Sequence, residues 1–268
     1  MRIVTLNVNG IRAASRHGFF AWLSQQDFDI ICLQEIKALP EQLTDPIFYP
    51  LGYQSYFFPA EKKGYSGVAL YTRYAPTNII KGLGWDLADK EGRYIEAEFG
   101  NLSVVSLYLP SGTSGVERQA CKYQFMDFFN EHLQRIIKSK RHYVLCGDWN
   151  IAHTKDDLKN WRGNQKNSGF LPEERAWLDK ILGLEGFVDA FRCVNNETDQ
   201  YTWWSNRGQA YAKNVGWRID YQVITPALKP LIKSVSIYKE QRFSDHAPVI
   251  VEYDYPLGTV DKPLAKQK

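Results

Sequence analysis

Nine short runs rich in β-branched and aromatic residues, at 3–8, 30–34, 53–58, 68–72, 94–99, 102–109, 143–146, 219–225 and 248–253, constrain this chain more than any other feature. Strands that do not alternate one-for-one with helices are disfavoured in a doubly wound parallel sheet, and fit stacked sheets that bury their inner faces against each other. Helical spacing appears near 14–25, 116–138 and 172–183; in the second, Tyr123, Phe125, Met126, Phe129, Leu133, Ile136 and Ile137 fall at helical intervals. Gly100-Asn101 supplies a hairpin turn between two of the strands. The pattern predicts an α/β sandwich of stacked sheets flanked by helices.

A chain of 268 residues with 44% hydrophobic residues can bury a sizeable core, and sandwiches of this length fold as one unit. One domain over 1–255 is expected, followed by a polar, Pro/Gly-punctuated tail at 256–268 that frays. The formal charge of +3 is too small to announce a polyanion ligand, so the distribution of charge matters more. Residues 135–142, 159–166 and 207–218 carry Arg and Lys without Asp or Glu, and each reads as a basic strip or as an ordinary solvated face. Cys32, Cys121, Cys146 and Cys193 show no C-x-x-C pairing and read as reduced packing residues of a cytoplasmic protein. No signal-peptide core and no apolar stretch approaching the roughly 20 residues of a membrane span occurs.

Chemistry collects where strands end. Asn7, Glu35, Tyr108, Asp148 and Asn150 follow apolar runs, Asp220 lies in GWRIDY, and Asp245-His246 opens the last strand. Asp or Asn at a strand end is usually a turn former, but a Glu and an Asp-His pair have no such advantage. Carboxylate and carboxamide oxygens without Cys clusters or a His-x-x-x-His pair suit a hard cation, Mg²⁺ with Mn²⁺ as substitute, and disfavour structural zinc. Among five histidines, His246 beside Asp245 is the natural acid/base or phosphate-contacting candidate, with a packed core histidine as the alternative.

The runs LNVNGIRA, CLQEIK, YLPSG, GDWNIAH, GWRIDY and SDHAPV, in that order over residues 6–249, resemble the exonuclease III family of class II abasic-site endonucleases, within the endonuclease/exonuclease/phosphatase superfamily. The resemblance implies a four-layer α/β sandwich of the DNase I-like type. It also implies hydrolysis of duplex DNA on the 5′ side of abasic sites, leaving a 3′-hydroxyl and a 5′-deoxyribose phosphate, with action on blocked 3′ ends. By residue-wise match, Asn7, Glu35 and Asp245 hold the principal metal, while Asp148, Asn150 and His246 surround the scissile phosphate and a second metal if one binds. Asp220 orients His246, either Asp148 or His246 takes the proton of the attacking water with Asp148 the better candidate, Asn150 orients the nucleophile or bonds the phosphate, and Tyr108 donates to a phosphate oxygen. Trp203, Trp217 and Ile219 would wall a pocket for the flipped, baseless sugar; core packing is the alternative for the two tryptophans. Asn9, Arg12, Ser111, Gly169 and Arg207 complete the implied DNA contacts; Asn9 stands where some relatives have Asp, and Ser111 where many have Asn or Gln. A monomer is the default state. The competing readings are an exonuclease-dominant member, a superfamily phosphoesterase acting on RNA, inositol phosphate or sphingomyelin, and a catalytically dead DNA-binding module.

Overall fold

In the computed structural model, which describes residues 1–257, the strands are β1 (Arg2–Asn7), β2 (Ile30–Gln34), β3 (Gln54–Phe58), β4 (Val68–Thr72), β5 (Asn78–Lys81), β6 (Tyr94–Phe99) and β7 (Leu102–Tyr108). They continue as β8 (His142–Asp148), β9 (Val188–Asp189), β10 (Trp203–Trp204), β11 (Gly216–Trp217), β12 (Asp220–Ile224), β13 (Ile232–Ile237) and β14 (Val249–Tyr253). One six-stranded sheet has the order β13-β14-β1-β2-β4-β3, the other β5-β6-β7-β8-β12-β9, and β10-β11 form a separate pair. Both large sheets are mixed: β1 is parallel to β2 and β7 to β8, while their other pairings are antiparallel.

Side-chain alternation builds four layers. From β1, Ile3 points into the core shared by the two sheets, with Cys32, Val68, Val104, Cys146 and Val251. Val4 and Leu6 point the other way, onto the helices Ile11–Arg16 and Phe19–Leu23 and their Phe19, Phe20 and Trp22. On the opposite face of the second sheet, Phe125, Met126, Phe129, Leu133 and Ile136 of the helix Val116–Ser139 cover Val105, Leu107, Leu145 and Val223. Burial on both faces is why the central strands read as continuous apolar runs. Each of those helix side chains contributes about 1.5–3 kcal/mol on burial, far more than helix propensity supplies, so packing holds this helix.

The predicted sandwich is the observed one, with differences at its margins. The helical stretch expected near 14–25 is two short helices broken at Gly18, whose φ of 86° no ordinary helical residue adopts. Strands β5 and β13 escape a search for apolar runs because they are exposed edges with mostly polar or half-buried positions. Cys32 and Cys146 are buried between the sheets, but Cys193 is exposed and is no packing residue. Arg218, read as part of a basic surface strip, is 1% exposed and paired with Asp157 and Asp189 at 2.7 and 2.8 Å. Leu257 packs against the inter-sheet core, inside the segment expected to fray; positions 258–268 of that expected tail lie outside the described residues. Among the described residues, no helix is long and apolar enough to cross a membrane.

Candidate active site

The parallel pairs bring four strand ends to one edge: Asn7 and Gln34 are register partners, as are Tyr108 and Asp148. Strand β12 runs antiparallel to β8 and starts there, with Asp220 opposite Asp148. Strand β14 is antiparallel to β1, so the Asp245-His246 segment preceding it arrives at the same edge. The sheets meet there: Asn7 Nδ2 donates to Glu35 Oε1 at 2.8 Å and to Asp148 Oδ2 at 2.9 Å, bridging one sheet to the other.

The backbone at this edge is strained. Asn9, Glu35, Lys37 and Asn150 have φ of 43°, 51°, 49° and 52°, a left-handed conformation that costs side-chain-bearing residues of order 1–3 kcal/mol and clusters at functional sites. Surrounding bonds hold it: Gly10 N–H donates to Glu35 O at 2.7 Å, Ile36 N–H to Gly67 O at 3.0 Å, and Asn150 N–H to Asp148 Oδ1 at 2.8 Å.

Two linked clusters result. In one, Glu35 Oε2 pairs with Lys37 at 2.7 Å, Lys37 also donates to Asn9, and Asn9 Nδ2 donates to Asp245 Oδ1 at 2.9 Å. Burial would raise the Glu35 pKa, but the Lys37 charge and the Asn7 bond outweigh it and hold the carboxylate ionised below its ordinary range. Asp245 is likewise lowered: against burial stand the charge of His246 and bonds from Asn9 and Trp203. In the other cluster, His246 Nδ1 meets Asp220 Oδ2 at 2.9 Å and His246 Nε2 lies 3.9 Å from Asp148 Oδ2. Burial and the neighbouring Asp220 charge push Asp148 up to about 7. His246 is pushed up to about 10 because Asp220, Asp148 and Asp245 overcome the cost of burying its charge.

A cavity of about 730 Å³ opens onto these groups. Glu35, Tyr108, Asp148, Asn150, Asp245 and His246 line one part, and Trp203, Trp217 and Ile219 another, with Ser111 and Gly169 at its border. Trp203 and Trp217 are half-buried and meet edge to face, 6.3 Å between ring centres, in an apolar cluster with Leu158, Phe170 and Ile219. Trp22, Trp149, Trp177 and Trp204, by contrast, are buried in the core. Asn9 lines a smaller neighbouring cavity of about 440 Å³, and Arg12 and Arg207 are exposed outside both.

The donor set fits a divalent cation. Three carboxylates, Glu35, Asp148 and Asp245, face one cavity with Lys37 and His246 as the nearby counter-charges, and Asp220 Oδ1 is buried without a partner. Ligand atoms of Asp148, Asp220 and His246 lie within 4.8 Å of one another, so a group able to hold a metal includes Asp220, expected only to orient His246. Asn7, expected as a ligand, presents its amide nitrogen to the carboxylates while its Oδ1 accepts Asn9 N–H at 2.9 Å; it must turn over to ligate.

Three charged side chains at or beneath the site were not among the expected site residues. Lys37 sits in the quoted CLQEIK run, two residues after Glu35, and its alternation with Glu35 was the available signal. Lys122 occupies the apolar stripe of its helix, spaced i, i+3, i+4, i+7 with Phe125, Met126 and Phe129, an anomaly that marks a buried cation. Its partner Glu174 carries no comparable sequence signal.

A mixed-sheet sandwich with an acidic, histidine-bearing strand edge defines a class of metal-dependent phosphoester hydrolases, and the chain belongs to the endonuclease/exonuclease/phosphatase family, whose model matches residues 4–246. Within that family it is a hydrolytic DNA-repair nuclease of the exonuclease III/AP endonuclease type. It is 40% identical over 251 residues to an exodeoxyribonuclease of Bacillus subtilis (strain 168), covering 93% of this chain and 98% of that one. It is 39% identical over 254 residues to the DNA repair nuclease APEX1 of Danio rerio, covering 93% and 81%. The solved AP endonuclease of Archaeoglobus fulgidus superposes with a TM-score of 0.86 at 29% identity, over 95% of this chain and 100% of that one.

Proposed function

We propose that this enzyme hydrolyses duplex DNA on the 5′ side of abasic sites, leaving a 3′-hydroxyl and a 5′-deoxyribose phosphate, and that the same site trims blocked 3′ ends as a 3′-phosphodiesterase, 3′-phosphatase and 3′→5′ exonuclease. One observation carries the reading: the acidic strand edge and the apolar walls Trp203, Trp217 and Ile219 share a single cavity. A deoxyribose without a base flips at lower cost than a complete nucleotide, and a tight apolar pocket admits it while rejecting a sugar that keeps its base.

Glu35, Asp245 and Asn7 would hold Mg²⁺, or Mn²⁺ as substitute, which when bound would supply Lewis-acid neutralisation of the phosphate and the departing 3′-oxygen. Asp148, poised near neutrality, takes the proton of the attacking water. His246 is cationic at neutral pH and held through Nδ1 by Asp220; it stabilises charge gathering on the phosphate. Tyr108, whose hydroxyl faces Glu35 and stays protonated, donates to a phosphate oxygen. Asn150 orients the nucleophile or bonds the phosphate, its Nδ2 now donating to Leu109 O at 2.9 Å. Ser111 and Gly169 at the cavity border, with Asn9 and the exposed Arg12 and Arg207 beyond it, contact the DNA backbone. The working state is a monomer in the cytoplasm, associated with the nucleoid in a prokaryote.

The test is one gel. Duplex DNA with a single tetrahydrofuran abasic analogue, which cannot undergo β-elimination, should be cut with Mg²⁺ and left intact with EDTA. An uncut duplex with Mg²⁺ would refute abasic-site hydrolysis. Gly169 separates internal cleavage from an exonuclease-dominant activity. Its φ is 92°, and a Cβ there would lie 3.1 Å from Asn150 O and 3.2 Å from the Trp217 ring. Gly169→His is therefore expected to lower internal abasic cleavage by about tenfold or more, one lost pocket contact's worth, with a smaller effect on 3′-end trimming. Equal losses in both would remove Gly169 from the specificity argument.

A further inference from the structure

Beneath the cavity lies a charge pair that the reaction described above does not use. Lys122 and Glu174 are both completely buried and joined as a salt bridge. Lys122 Nζ also donates to Asn150 O at 2.8 Å, on the residue whose backbone is held in the left-handed region. Glu174 Oε2 accepts Gly169 N–H at 2.7 Å and Leu171 N–H at 3.0 Å, while Gln119 donates to Oε1 at 3.1 Å. Gly169 O in turn accepts Ala152 N–H at 2.8 Å, closing a loop between the two segments. One ion pair thus grips two parts of the cavity rim, the Asn150 turn beside Asp148 and the Gly169 turn against Trp217.

A buried pair seldom stabilises more than a well-packed apolar pair of the same volume, so stability alone does not account for it. We infer that Lys122 and Glu174 are positioning residues, which lock the Asn150 turn and the Gly169 turn at a fixed separation and so set both the rate at the phosphate and the width of the sugar pocket. The inference rests on the abasic-site reading for the pocket's occupant, but the clamp itself can be read without DNA.

The deciding variant is Lys122→Met/Glu174→Gln. It is neutral throughout, leaves no orphaned charge, and keeps a carbonyl oxygen for Gly169 and Leu171. It should fold, and hydrogen exchange of the Gly169, Leu171 and Asn150 amides should quicken about tenfold relative to wild type, reflecting local opening. On the tetrahydrofuran duplex kcat should fall about 30-fold, the scale of one charge-assisted hydrogen bond, with little change in KM. The ratio of abasic cleavage to removal of an ordinary 3′ nucleotide should fall with it. Lys122→Arg should restore rate and ratio to near wild type. A folded double variant with wild-type exchange, kcat and ratio overturns the inference. So does a loss of both activities in equal proportion, the mark of a merely structural pair. If the double variant does not fold, Glu174→Gln alone carries the same exchange and ratio measurements with the same two outcomes. Failure of the wild type to cut abasic DNA would sink the functional reading and leave the exchange measurement to judge the clamp.

Discussion

Asp148→Asn is expected to lower kcat on an abasic duplex by about 10³-fold or more, the range for losing a general base, while making the metal-free protein slightly more stable. Both effects have one cause. Asp148 is fully buried beside Asp220, and its folded pKa of about 7 stands above the ordinary value of 3.8. For a carboxyl with a raised folded pKa, the linked stability is fully present below the unfolded pKa and is lost as pH rises through the folded one. The native enzyme at pH 8 therefore carries an ionised, destabilising carboxylate, offset in part by His246 at 3.9 Å. Asn removes that burden and also removes a partner of His246, leaving a net gain of about 1 kcal/mol. Thermal unfolding in EDTA should put the variant above wild type at pH 8, with the gap closing at pH 5, where Asp148 is protonated. The wild-type kcat/KM should rise with pH through an acid limb at or below 7, since a bound cation lowers the carboxylate further, and decline as His246 loses its proton towards 10. The residual activity of Asp148→Asn should lack the acid limb. Wild-type turnover in the variant would end the assignment.

Glu35→Gln is the second large effect, and it should appear chiefly as a metal defect. The Glu35 side chain is 16% exposed and faces the cavity as an ionised carboxylate paired with Lys37. Gln keeps the shape and the Asn7 contact but removes the charge that balances a cation, and leaves Lys37 uncompensated beside the site. At limiting Mg²⁺ the rate should fall about 100-fold, the scale of a lost metal-site interaction, and recover in part as Mg²⁺ is raised. The midpoint of the Mg²⁺ titration should move upward by a similar factor, and Mn²⁺ binding followed calorimetrically without DNA should weaken in parallel. An unmoved midpoint would place the metal away from Glu35. Lys37→Met should then separate the roles, because its loss frees Glu35 without neutralising it.

The central strands and long helix were legible because each carries its own instruction. Residues 30–34, 68–72 and 94–99 match the observed strands to the residue; the first two are buried on both faces and drawn from a narrow chemical set, while 94–99 carries Glu96 and Glu98 among its β-branched and aromatic residues. Strands β5 and β13, exposed at the edges, lack that signature. The tryptophans divide by environment rather than by type: Trp204 is core and its neighbour Trp203 is a cavity wall, a distinction that alternation along a strand makes and composition cannot.

What the sequence by itself determined is the chemical kit and its placement at strand ends, since strand length, periodicity and the residues that close each run are local properties. Only the tertiary structure decided which atoms face which: that Asn7 donates to two carboxylates, that Asp220 joins a potential metal group, that Arg218 is buried, and that Lys122 and Glu174 meet under the cavity. These are contacts across tens to hundreds of residues, set by which strands pair and in what register. Charge on a side chain can be read from one letter of sequence; its partner, and therefore its protonation and its role, depends on the whole packing.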